Sequence, residues 1–394
     1  PCRVHVWYNF ANTMLDGPSV ALRFCLGIRR LAWQWPLCAV LLLAQRALAA
    51  AMAPDLVGPI GADGETSQHR LRDQLLQHGG CLEYGRTGRC LPNFIVLGVQ
   101  KAGTSTLFQL MRSHPQIIEP EAKELHFFYT SNLVSLCESP MLRPRPEELL
   151  AYARRFPPKA ELSNRSLLTG EWSATYLVCW CCPLIFLRVL PRTRLLVQLR
   201  DPISRAHARF MEFQSKTEAL ARSGRPAPYF AAMVRRGFDR FALLELSVLN
   251  ACLERNSSLR STVECAADSN VFGWSLYDIF LRHWLAYVRP SDLLVTYVED
   301  LAADPLSVMR SVEAHLSIAP RTYTQWQLSG FYNARGGYGW DTRADGIGLG
   351  GIAREHRRCQ ELGIEFVVCR KLEDLYRPHV LELERLGREG QISP

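Results

Sequence analysis

The sequence predicts an α/β fold of three layers, a central parallel sheet flanked by helices. Two observations carry this. Three short apolar runs, Asn93–Val99, Arg194–Leu199 and Leu293–Val298, have the length and β-branched character of buried strands. Each is followed by a helical pattern, which is the alternation that builds a parallel sheet covered on both faces.

The chain has 394 residues, 48% of them apolar and 21% charged. That is enough to bury one substantial core and excludes a disordered chain. No internal repeat is visible, so one catalytic domain is expected over residues 91–394, behind a leader (1–53) and a linker or stem (54–90). In the leader, reading from Met14, Arg23, Arg29 and Arg30 precede the apolar run Pro36–Ala44, and Ala47-Leu-Ala49 has cleavage-site spacing. Leu31–Ala53 is also long enough for a membrane anchor, although Gln34, Gln45 and Arg46 interrupt it. A cleaved signal and a type II anchor, the latter with the membrane as partner, both remain open. Either puts the rest of the chain in the secretory lumen, where the Golgi is expected. The 13 cysteines fit an oxidising compartment, and Cys81/Cys90, Cys252/Cys265 and Cys359/Cys369 are spaced for short-loop disulfides. Cys179, Cys181 and Cys182 lack the spacing and the nearby His of a zinc site, so no metal is expected. Asn164-Arg-Ser166 and Asn256-Ser-Ser258 are glycosylation sequons. Lys and Arg exceed Asp and Glu by 46 − 38 = 8, a balance that favours anionic partners without choosing among them.

In chain order, the first strand is followed by a helix over Thr104–Arg112, with Thr and Ser at its start as capping residues. The Phe127-Phe128 pair reads as the start of a strand near His126. The second strand runs into Arg200-Asp-Pro202, where Pro suits a first helical turn, and a helix to about Phe213. Phe241–Cys252 and Leu276–Val288 are amphipathic, and the third strand precedes a helix over Pro305–Leu316. Gly336–Gly351 reads as a Gly-rich loop, and Lys371–Leu386 as a closing helix kinked at Pro378.

The first junction is Gly98-Val-Gln-Lys-Ala-Gly103-Thr-Ser105, with the Gly-to-Gly spacing of a phosphate-binding P-loop. In an ATP-type loop Lys follows the second Gly; here Thr104 stands there and Lys101 lies inside the loop. The shifted lysine resembles the 5′-phosphosulfate loop of the sulfotransferases that use 3′-phosphoadenosine 5′-phosphosulfate (PAPS). The resemblance implies a P-loop-like fold, PAPS as donor and Lys101 beside the bridging oxygen. Lys101, Ala102, Gly103, Thr104, Ser105 and Thr106 then form the donor loop. Leu199-Arg-Asp-Pro-Ile-Ser-Arg205 matches the family's second motif, which implies Arg200 as ligand of the 3′-phosphate. The family's phosphate-binding Ser falls at Ala208, with Ser204, one turn earlier on the same helix, as substitute.

Glu121-Ala-Lys-Glu-Leu-His-Phe-Phe128 resembles the segment after the loop in glycosaminoglycan sulfotransferases, which implies Glu124 as base with His126 beside it. A sugar hydroxyl is a poor nucleophile, and a positioned base answers that need independently. Gly170–Thr175, Cys252–Arg260, Leu276–Leu285 and Leu375–His379 are similar to N-acetylgalactosamine 4-sulfate 6-O-sulfotransferase, although heparan-type members carry Lys where this chain has Trp172. A carbohydrate acceptor, sulfated or uronate-containing, is implied, and no nucleic acid. Two other readings stand beside this one. A P-loop kinase or NTPase would want Lys at 104, and a silent glycan-binding relative would not need Lys101, Arg200 and Glu124 together.

Overall fold

A computed structural model describes residues 82–83, 88–129, 146–163, 167–190, 192–224, 234–333, 343–344 and 358–392. The leader, most of the stem, Cys81, the Asn164 sequon and most of Gly336–Gly351 lie outside them. The chain divides into two units, Pro1–Leu71 and Arg72–Pro394, and all described residues belong to the second.

Strand β1 (Phe94–Gly98) leads into α1 (Thr104–Arg112), followed by the short β2 (Ile117–Ile118), α2 (Pro146–Ala153), β3 (Leu168–Trp172) and α3 (Cys182–Val189). Next come β4 (Arg194–Leu199) and the long α4 (Pro202–Arg222), then α5 (Gly237–Arg255), α6 (Leu259–Asp268) and α7 (Tyr277–Leu285). β5 (Leu293–Tyr297), α8 (Val298–Ala303), α9 (Pro305–Leu316) and α10 (Phe366–Arg388) follow, with shorter helices and two small strand pairs between and before these elements. The five strands form one sheet in the order β2-β3-β1-β4-β5, every neighbouring pair parallel.

Burial explains why these runs become strands. On β1, Phe94 and Val96 face one apolar cluster with Phe108 and Met111 of α1 and Met309 and Val312 of α9. Ile95 and Leu97 face the other, with Phe186 of α3, Phe210 of α4, Trp284 of α7 and Tyr376 of α10. Each strand residue is therefore covered whichever way it points, so the runs need no polar alternation. The expected central parallel sheet between helical layers is what forms.

Several local expectations change. Phe127–Tyr129 is a turn of 3₁₀ helix, not a strand, because Phe128 packs onto Tyr152, Tyr176 and Phe186, and among the described residues no strand pairs with it. Gly103 is the N-cap of α1, so Thr104 and Ser105 are its first helical residues and cap nothing. The helix after Arg200-Asp-Pro202 runs on to Arg222, and α10 continues through Pro378. Cys252–Cys265 and Cys359–Cys369 are disulfides, and Cys90 is disulfide-bonded too. Cys179 pairs with Cys182. Asn256 of the second sequon turns inward, its Nδ2 donating to Cys252 O at 2.7 Å.

Candidate active site

The loop Val99–Gly103 leaves the C-terminal end of β1. Gly103 closes it in the left-handed region (φ 80°), and a Cβ there would lie 2.6 Å from Val298 Cγ2. Glycine is thus required both by conformation and by the approach of α8. No side chain caps α1. Thr106 N and Leu107 N turn back to donate to Gly103 O at 3.0 and 3.2 Å, so Thr104 N and Ser105 N are the first-turn groups left at the positive end of the helix dipole. Lys101 (φ 71°) lies in the same loop, and burial pulls its ammonium below the ordinary lysine range despite the opposing field of Glu212. Arg200 leaves the end of β4, next to β1, and its Nη1 donates to Lys101 O at 3.1 Å. Asp201 caps α4 through Ser204 N at 2.7 Å. This is the crevice beyond the strand ends where the chain changes direction across the sheet, the place where open α/β sheets take ligands.

The acceptor-side candidates hang from the end of β3, on the other side of β1. Glu124 N donates to Trp172 O at 2.9 Å, and Ala174 N donates to Glu124 Oε2 at 3.0 Å. Lys123 Nζ reaches Glu124 Oε1 at 2.5 Å, with side-chain exposures of 2% and 12%. His126 Nε2 stands 3.4 Å from Glu124 Oε2, and its Nδ1 is 3.0 Å from Thr175 Oγ1. Burial pulls the imidazole below the ordinary histidine range, so it is neutral at pH 7. Glu124 and His126 both adopt positive φ (63° and 51°), a backbone strain of about 1–3 kcal/mol each that concentrates at functional sites.

The structure adds partners that sequence reasoning passed over. Thr106 Oγ1 accepts Tyr332 N at 3.1 Å, and Asn333 Nδ2 stands 3.5 Å from Ser105 Oγ, so the segment around Tyr332 covers the start of α1. Glu212 on α4 is gripped by Arg209 Nη1 at 2.5 Å and Lys216 Nζ at 3.0 Å. Burial pushes its carboxyl up, but Arg209, Lys101 and Lys216 outweigh that and hold it at about 2. Arg-x-x-Glu-x-x-x-Lys spacing on a helix was the readable signal for this cluster. Among the described residues no group of His, Cys, Asp and Glu is arranged to hold a metal ion.

Two anion-attracting stations at the ends of β1 and β4 therefore adjoin a carboxylate–imidazole pair held against the end of β3. No family model matches the chain. It is 26% identical over 315 residues to the mouse bifunctional heparan sulfate N-deacetylase/N-sulfotransferase 2, covering 77% of this chain and 30% of that protein. It is 25% identical over 272 residues to human carbohydrate sulfotransferase 15 (61% and 46%) and 25% over 294 residues to mouse heparan sulfate glucosamine 3-O-sulfotransferase 3B1 (75% and 63%). The chain is similar in sequence to carbohydrate sulfotransferases. It spans 30% of the length of the first of these relatives. Among solved structures, a sulfotransferase from Alicyclobacillus acidocaldarius aligns with a TM-score of 0.44 and 21% identity, over 75% of this chain and 96% of that one. Trp172, where the resemblance to heparan-type members implies Lys, has a clear physical account. Its ring is buried edge-on to Phe94 (5.1 Å) and Phe108 (4.9 Å), locking β3 onto α1, so it serves the core.

Proposed function

We propose that this chain transfers a sulfuryl group from PAPS to a hydroxyl of a glycosaminoglycan-like carbohydrate by in-line displacement. The observation that supports this best is that Lys101 and Arg200 follow the ends of the neighbouring strands β1 and β4, while Glu124, in the segment after β2, is hydrogen-bonded to the end of β3 on the other side of β1. The helix start without a side-chain cap and the Gly103 turn suit the donor's 5′-phosphate, with Ala102, Gly103, Thr104, Ser105 and Thr106 around it. Arg200, with Ser204 one turn on, suits the 3′-phosphate. In the step itself the acceptor oxygen bonds to sulfur as the bridging S–O bond breaks. The hydroxyl proton passes to Glu124, beside His126, and the electron pair stays on the phosphate oxygen next to Lys101. Such chemistry asks for alignment and charge stabilisation more than covalent participation, which is what these groups offer. Catalysis is assigned to residues 91–394, behind a leader over 1–53 and a stem over 54–90, in the Golgi lumen.

Titration with adenosine 3′,5′-bisphosphate and with ATP tests the donor. The bisphosphate binds and ATP competes poorly; Arg200→Ala removes a charge-assisted contact of about 1.5–3 kcal/mol and weakens bisphosphate binding more than tenfold. Equal competition by ATP, or an Arg200→Ala protein that binds as tightly as the parent, would return the kinase reading. Bisphosphate binding without sulfation of any glycan would favour the silent relative.

A further inference from the structure

Glu171, on β3, is fully buried, yet it is surrounded by hydroxyls rather than by a cation. Ser173 Oγ donates to its Oε1 at 2.5 Å and Tyr176 Oη donates to the same oxygen at 2.6 Å, while Tyr152 Oη meets Oε2. The two hydroxyls on Oε1 have spent their only protons there, so each has acceptor capacity alone left to offer. Each uses it on a backbone N–H of one segment: Ser173 Oγ accepts His126 N at 2.9 Å, and Tyr176 Oη accepts Phe128 N at 3.1 Å. That segment follows Glu124 directly and is itself strained.

We infer that Glu171 is a positioning residue: its Oε1, by taking two hydroxyl protons, compels Ser173 and Tyr176 to hold the backbone of His126 and Phe128 and so aims the Glu124–His126 pair. Burial pushes the carboxyl up to about 7. A proton taken up on Oε2, facing Tyr152, leaves Oε1 an acceptor, so the hold survives in either protonation state. The consequence for turnover rests on the sulfotransfer reading; the hold on the backbone does not.

Gln at 171 can keep its amide oxygen toward Ser173 and Tyr176 and its NH₂ toward Tyr152, which then accepts. Leu cannot. The test is amide hydrogen exchange at His126 and Phe128, with acceptor turnover and adenosine 3′,5′-bisphosphate affinity measured beside it. Glu171→Gln stays within about threefold of the parent in all three, which a role for the charge would not permit. Glu171→Leu speeds exchange at both amides by about tenfold or more and lowers kcat with bisphosphate affinity unchanged. Should Glu171→Leu fail to fold, Ser173→Ala and Tyr176→Phe answer singly, the first freeing the His126 amide and the second that of Phe128. Unchanged exchange at both amides in these variants overturns the inference, as does Glu171→Gln behaving like a null. A parent that sulfates nothing overturns the functional reading alone, because the exchange data still decide the hold.

Discussion

Lys101 is asked to be cationic in a place that penalises charge. Burial lowers its pKa, and Glu212 opposes that shift while Arg209, Lys216 and Arg200 add to it. The lysine binds an anion only when protonated, so donor affinity should fall as pH rises, on a limb below the usual lysine range. Lys101→Arg, whose guanidinium stays charged, should erase that limb; a parent profile flat to pH 10 would mean that Lys101 does not meet the donor. Glu124→Gln isolates the opposite end. It keeps hydrogen bonding without accepting a proton, so turnover should fall by roughly 10²–10⁴ while bisphosphate affinity holds. At this scale the sequence was most informative on the donor side, where the Gly spacing and the displaced lysine are local. Thr175 stayed hidden because its partner His126 lies 49 residues away in sequence, and Glu171 because Tyr152 lies 19 away, separations that no local pattern records.

The elements that could be read were the buried ones. β1, β4, β5, α1 and α9 appear within a residue of where apolar runs and caps put them. β3 was missed as a strand because Leu-Thr-Gly-Glu-Trp reads as polar, and its burial comes from neighbours on both sides rather than from its own composition. Gly170 shows how closely those neighbours approach, since a Cβ there would lie 2.2 Å from Phe94 Cε2. Gly170→Ala should therefore overpack the β1–β3 contact and destabilise by about 1–3 kcal/mol. Gly387→Ala is the control, because near the end of α10 a Cβ meets nothing within 4 Å. Chemical denaturation compares the two, and equal midpoints would show that the sheet gives way without loss.

At the scale of the whole molecule, two disulfides tie helices to one another away from the strand ends. Cys252–Cys265 joins α5 to α6, and Cys359–Cys369 anchors the start of α10. Closing a loop of 13 residues constrains the unfolded chain by about 3 kcal/mol. The double substitution of Cys252 and Cys265 by Ser should lower the melting temperature and leave bisphosphate affinity intact; a matching loss of affinity would mean that this helical layer shapes the crevice.

The seating of the two sets of groups on different segments has a further meaning. On the proposed reading, the groups for the nucleotide follow the ends of β1 and β4, and those for the sugar lie on Glu124–His126, braced by Ser173, Ala174 and Thr175 just beyond β3. A descendant of this chain could acquire a new taste in glycans by rewriting one loop, with its fuel supply untouched. Exchanging the stretch 119–129 for that of a relative would be the shortest route to redirecting which polymer is decorated.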